Sequence, residues 1–125
     1  MVLMTQTEAV TWATAWIANW NRKDVDAVLS RFAEDAEFIS PRAITIVGKI
    51  RLSGRSEIAE YWTRALAAIQ SLHFELDRVI VDGRSLAIVY TSEINGKPVR
   101  ACELFLFDET GLVQRGEAMY GAMLS

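Results

Sequence analysis

Three turn signals, Asp82-Gly83, Asn95-Gly96 and the run from Asp108 to Gly111, cut the second half of this chain into alternating segments of similar length. Asp-Gly and Asn-Gly are strong short-range markers of β-hairpins, because the tight primed turns need positive φ at their central residues. The segments between them are Leu72 to Val81, Leu86 to Ile94, Val99 to Phe107 and Val113 to Met123. Each must pair with the next, so the pattern predicts a four-stranded antiparallel meander.

The first half has a different period. Ala9, Trp12, Ala13, Trp16, Ile17 and Trp20 recur at spacings of three and four, which places them on one face of a helix that starts near Thr5 or Thr7 and ends near Asn19 to Arg22. Asp24 is a good N-cap for a second helix with Val25, Val28, Leu29 and Phe32 on its apolar side. Ala36 to Ser40 alternates, with Ala36, Phe38 and Ser40 on one face, and Pro41 ends it as a strand. Arg42 to Ser53 contains Gly48 and no helical period, which predicts a loop or lid with Ile44 to Val47 extended. Gly54 and Ser56 can both cap a third helix that carries Ile58, Tyr61, Trp62, Ala65, Leu66 and Ile69. With no repeat, low-complexity tract or linker, residues 1–125 form one domain.

Helices gathered before a hairpin sheet specify an α+β domain. A strongly twisted sheet of this length curls, and three N-terminal helices laid across its concave face leave a conical pocket. Four Trp, three Tyr and five Phe are enough to fill a thick core or to wall such a cavity. A net charge of −3 without a Lys/Arg run argues against nucleic-acid and anionic-membrane partners. The single cysteine, Cys102, can form no internal disulfide. There is also no 18-residue apolar run and no signal-like start, so a soluble, cytoplasmic protein is expected.

Glu103 is the residue with the clearest chemical potential. In RACELFLF, Ala101, Glu103, Phe105 and Phe107 share one face while Cys102, Leu104 and Leu106 share the other. An apolar setting on either side would raise its pKa and make it a proton donor or acceptor near neutral pH. The competing reading pairs it with Arg100 or Arg115 across the strands. Tyr90 alternates with Ile88 and Ser92 and should point inward with them, its phenol available to a ligand carbonyl or to water. Ser40 can hydrogen-bond a ligand oxygen but has no adjacent base to activate it. The Trp12, Trp16 and Trp20 stripe reads mainly as core. Tyr61 and Trp62 straddle their helix, so one of them should face the pocket. Tyr120 shares a face with the small residues Gly116 and Ala118, which would leave room for a flat molecule beside its ring.

Other features are less informative. His73 has no ligand-spaced partner, and no metal site is expected. The glycines are scattered singly, so no nucleotide loop is indicated and no cofactor is expected. Arg42, Arg51 and Arg55 flank the loop before the third helix, where they either attract an acidic substrate or are simply solvated.

Taken in order, the Asp24 helix, FAEDAEFISP at Phe32 to Pro41, GRSEIAEYW at Gly54 to Trp62, the Asn95-Gly96 hairpin and LFLFDETG at Leu104 to Gly111 resemble the nuclear transport factor 2-like superfamily, and within it the SnoaL-like and ketosteroid isomerase-like proteins. The resemblance implies a cone-shaped, cystatin-like fold and a homodimer through the outer sheet face. It also implies a pocket in which Trp16, Phe38, Trp62, Ile88, Ala101, Phe105, Ala118 and Tyr120 contact a small apolar molecule and Glu103, Tyr90 and Ser40 carry any catalysis. In ketosteroid isomerases a carboxylate base faces a tyrosine and a protonated aspartic acid. Those three positions fall here on Ser40, Trp16 and Glu103. Serine cannot act as a carboxylate base and indole is not an acidic phenol, so steroid isomerisation by that route is not expected. Two classes remain: a cofactor-independent acid/base enzyme of isomerase, cyclase or dehydratase type, and a non-catalytic ligand-binding or dimerisation module.

Overall fold

A computed structural model describes residues 3–124. Helix α1 (Gln6–Asn21) begins with a capping box. The Thr5 hydroxyl accepts from the Glu8 N–H at 3.1 Å, and Glu8 accepts from the Thr5 N–H at 2.9 Å, so two otherwise orphaned donors are satisfied reciprocally. Its apolar face, with Ala9, Ala13, Trp16, Ile17 and Trp20, is buried. At the far end the Asn21 side chain donates to the Phe74 carbonyl and accepts from the Phe74 N–H, at 3.0 and 2.7 Å. That pair fastens the helix terminus to the first strand of the meander.

Helix α2 (Val25–Leu29) is capped by Asp24, which accepts from the Ala27 N–H at 3.0 Å. It ends earlier than its apolar spacing predicts, because Phe32 opens strand β1 (Phe32–Ile39) instead of closing the helix. The strand is also longer than the alternating segment from Ala36. Its pairing is irregular between Phe32 and Glu37, and Glu34 and Asp35 both face solvent. A bulge of this kind breaks the two-residue period on which the sequence reading depends.

The segment expected as a loop or lid with an extended Ile44 to Val47 forms helix α3 (Ala43–Val47) and a short strand β2 (Arg51–Ser53). Helices thus number four among the described residues. The β-branched run Ile44 to Val47 favours extended backbone intrinsically. Here the Ala43 N–H bonds back to the Ser40 carbonyl and the turn stops at Gly48, so local hydrogen bonds override propensity. Helix α4 (Gly54–Ala67) follows β2 directly. Its N-cap is Ser53, one residue before the expected caps, and the Ser53 N–H is held by the Glu57 carboxylate at 3.0 Å.

The meander comprises β3 (Leu72–Asp82), β4 (Ser85–Ile94), β5 (Lys97–Phe107) and β6 (Val113–Met123). Asn95 and Gly96 have φ of 53° and 79°, the left-handed pair that a primed turn demands. The complete curved sheet runs β2-β1-β6-β5-β4-β3, antiparallel except that β1 pairs in parallel with β6. All but the parallel pair can be joined by short connections. Helices α1 and α4 cover the concave face, and the core lies between, built from edge-to-face aromatic contacts.

Candidate functional site

The cone is packed solid at one end and hollow at the other. At the closed end Trp12 packs edge-on against Phe105 and Phe107, and Phe105 contacts Phe32. At the open end a cavity of about 270 Å³ remains, near the lower limit for small-molecule pockets and sized for one or two rings. Trp16 and Trp20 of α1, Tyr61, Trp62 and Leu66 of α4, Phe38 of β1, Phe74 of β3, Tyr90 of β4, Glu103 of β5 and Tyr120 of β6 form its wall. Arg42, Thr45 and Ile46, on and just before α3, also line it, with apolar side chains at the end of α4.

Glu103 is 5% exposed. It makes no ion pair among the described residues; Arg100 on the opposite sheet face pairs with Asp77 at 2.8 Å. Its carboxyl accepts from the Tyr90 hydroxyl at 3.0 Å. Burial pushes its pKa up to about 8, against the smaller opposing influences of the Tyr90 hydrogen bond and the Arg42 charge. An uncharged carboxyl is easier to hold in an apolar wall than an ion. Tyr90 is pushed well up by burial and then by the neighbouring Glu103, and Tyr61 and Tyr120 are raised first by burial. All three phenols therefore remain protonated and can donate hydrogen bonds. The arrangement pairs one proton-exchanging carboxyl with neutral donors.

The residues singled out in the sequence separate into two groups. Glu103, Tyr90, Trp16, Phe38, Trp62 and Tyr120 meet in the cavity wall. Ser40 is fully buried behind it, with its hydroxyl 3.1 Å from the Tyr61 hydroxyl, where it orients a wall residue instead of facing the hollow. Ile88, Ala101, Phe105 and Ala118 are buried in packing that does not line the cavity. Nor does Gly116 leave space for a flat molecule: a Cβ there would lie 3.0 Å from both the Phe105 and Phe38 rings, which already occupy the position.

Several wall residues carried no distinctive sequence signal. Trp20 looked like core because it continues the α1 stripe, yet it lies one turn further along, past the point where the cone opens. Tyr61 and Trp62 both reach the cavity, since it lies against the side of α4 between them. Of the three arginines, Arg42 alone lines the cavity; Arg51 pairs with Glu37, and Arg55 donates to the carbonyls of Phe32 and Ser30. The Arg42 guanidinium lies over the Tyr120 ring, 3.7 Å from its centre. His73 and Glu75 are exposed on the other face of β3. No cluster of three potential metal ligands occurs among the described residues.

Comparison with known proteins fixes the family. Residues 13–115 match the model of the SnoaL-like domain. A SnoaL-like protein of unknown function from Burkholderia thailandensis E264 is 34% identical, with a TM-score of 0.87 over 96% of this chain and 99% of that one. A protein with a ketosteroid isomerase-like fold from Catenulispora acidiphila DSM 44928, solved with trimethylamine, is 24% identical, with a TM-score of 0.71 over 94% and 88% of the two chains. TerC, co-crystallised with polyporic acid, is 17% identical, with a TM-score of 0.75 over 93% and 91%. The last two share the fold alone, and their ligands differ too much in chemistry to transfer. No curated protein matches the chain. The solid and hollow halves of the cone, the aromatic wall and the family match lead to one statement: this chain belongs to the SnoaL-like family, within the nuclear transport factor 2-like and ketosteroid isomerase-like fold.

Proposed function

We propose that the cavity binds a small, apolar, cyclic molecule and that Glu103 transfers a proton to or from it without a cofactor. The observation that carries this reading is a buried carboxyl, with a pKa near 8, set in an otherwise aromatic wall. Near neutral pH such a group exists in both protonation states, which is the condition for efficient general acid/base chemistry. The Tyr90 hydroxyl fixes one carboxyl oxygen and leaves the other available to the ligand. The family includes cofactor-independent isomerases and cyclases, whose reactions need this kind of proton movement.

The test is α-hydrogen exchange of small cyclic ketones in D2O, followed by proton NMR. The wild type is expected to accelerate exchange of at least one such ketone at pH 7 to 8, and Glu103→Gln to lose that acceleration while still binding it. Binding without exchange in the wild type would move the protein to the second reading, a ligand-binding module. An ionised Glu103 at pH 5, seen by carboxyl-carbon NMR, would remove the enzymatic reading directly.

A homodimer through the outer sheet face fits the same protein. Ile80, Ala87 and Leu104 are cross-strand neighbours there, as are Cys102 and Met119, and Leu104 and Met119 are each 41% exposed. Apolar side chains in adjacent rows on an open sheet face are suited to burial against a partner. Sedimentation equilibrium of the wild type and of Leu104→Glu tests it, with a dimer expected for the first and a monomer for the second. Among the described residues no helix is long and apolar enough to cross a membrane.

A further inference from the structure

We infer that the molecule held in the cavity is an organic acid whose ionised carboxylate sits against the Arg42 guanidinium while its ring lies among the tryptophans. This deepens the reading of the cavity as an apolar ligand site and rests on it. Arg51, Arg64, Arg100 and Lys49 each have a carboxylate partner in Glu37, Glu60, Asp77 and Glu57. Arg22, Arg31 and Arg55 donate to amide or carbonyl oxygens. Arg42, like Lys23, Arg78, Arg84, Lys97 and Arg115, has no such partner among the described residues, and of these it alone lines the cavity.

Its position explains why that matters. The guanidinium lies over the Tyr120 ring, and its N–H groups make no hydrogen bond or ion pair among the described residues. Such a fork matches a carboxylate with two parallel hydrogen bonds, and the aromatic surroundings strengthen the attraction by excluding water. Tyr120 also lines the cavity beside Arg42. Glu103 is uncharged below about pH 8, so it does not cancel the positive charge of Arg42. A wall whose one charge is positive selects a ligand that brings a negative one.

Matched pairs of probes test this: trans-cinnamate against trans-cinnamamide, and 2-naphthoate against 2-naphthamide, titrated by calorimetry at pH 6.5. The wild type is expected to bind at least one acid tenfold or more tightly than its amide. Arg42→Gln should erase that preference and leave the amide within about twofold, and Arg42→Lys should keep part of it; circular dichroism checks that both variants fold. Equal binding of acid and amide, or a preference that survives Arg42→Gln, would overturn the anionic ligand while leaving the apolar cavity standing. Failure of every probe to bind the wild type would overturn both.

Discussion

The closed and open ends of the cone are built from the same materials and do opposite things. One helical stripe supplies both: Trp12 lies at the packed end against Phe105 and Phe107, while Trp20, two turns on, walls the cavity beside Trp62. Where the packed end meets the cavity wall a missing side chain is used for packing, since Gly116 lets the Phe105 and Phe38 rings approach. At the open end the rings stand around a hollow, and polar groups appear that a solid core would reject: a carboxyl, a guanidinium and three phenols. Aromatic content alone therefore does not distinguish core from site. What does is whether small residues let the rings interlock and whether polar groups interrupt them.

The strongest way to sharpen that contrast is through pH. The folded protein holds the Glu103 proton up to about pH 8, whereas the unfolded chain releases it near 4.5. The unfolded state thus binds fewer protons between those values, and stability must fall as pH rises through that window. The full shift corresponds to about 5 kcal/mol at 1.36 kcal/mol per unit. Urea denaturation from pH 4.5 to 8.5 should show the decline in the wild type and a much flatter profile in Glu103→Gln. A flat wild-type profile would mean that the open end is as wet as the surface.

Truncation separates the two ends by packing. Phe105→Ala should cost about 3–5 kcal/mol, the range for emptying a fully buried aromatic position. Trp20→Phe should cost under about 1.5 kcal/mol, because the site already borders a hollow and the change removes an unsatisfied N–H. Equal costs by urea denaturation would erase the distinction. The smallest effect is expected outside the cone altogether: Arg51→Gln breaks an exposed pair with Glu37 and should change stability by less than about 1 kcal/mol, with no effect on probe binding. A loss of binding there would transfer to Arg51 the role assigned to Arg42.

The two ends also differed in how legible they were in the sequence. The meander could be read because Asn95-Gly96 and Asp82-Gly83 carry their geometry locally, and α1 could be read because its caps and its period agree. Glu103 stood out because an acid between Ala101 and Phe105 conflicts with its surroundings. Strand β1 was read short because the bulge at Glu34 and Asp35 hides its first half. Ile44 to Val47 is illegible because side-chain propensity points one way and the hydrogen bond from Ala43 back to Ser40 points the other. The same conflict hides Arg42. Without α3 the loop has no direction, and nothing in the sequence separates Arg42 from Arg51 or Arg55. The open end depends on where loops turn, which is the information that periodicity does not contain.

The parallel pairing of β1 with β6 has a consequence for assembly. Strand β6 is inserted between the strand that begins at Phe32 and the hairpin partner at Lys97–Phe107, so the sheet cannot join β1 to the meander until residues 113–123 exist. Closing that span joins parts of the chain some eighty residues apart, a slow step for a small domain. Until then α1 can already be fastened to β3 through Asn21 and Phe74, while the sheet itself stays split between β1 and β5.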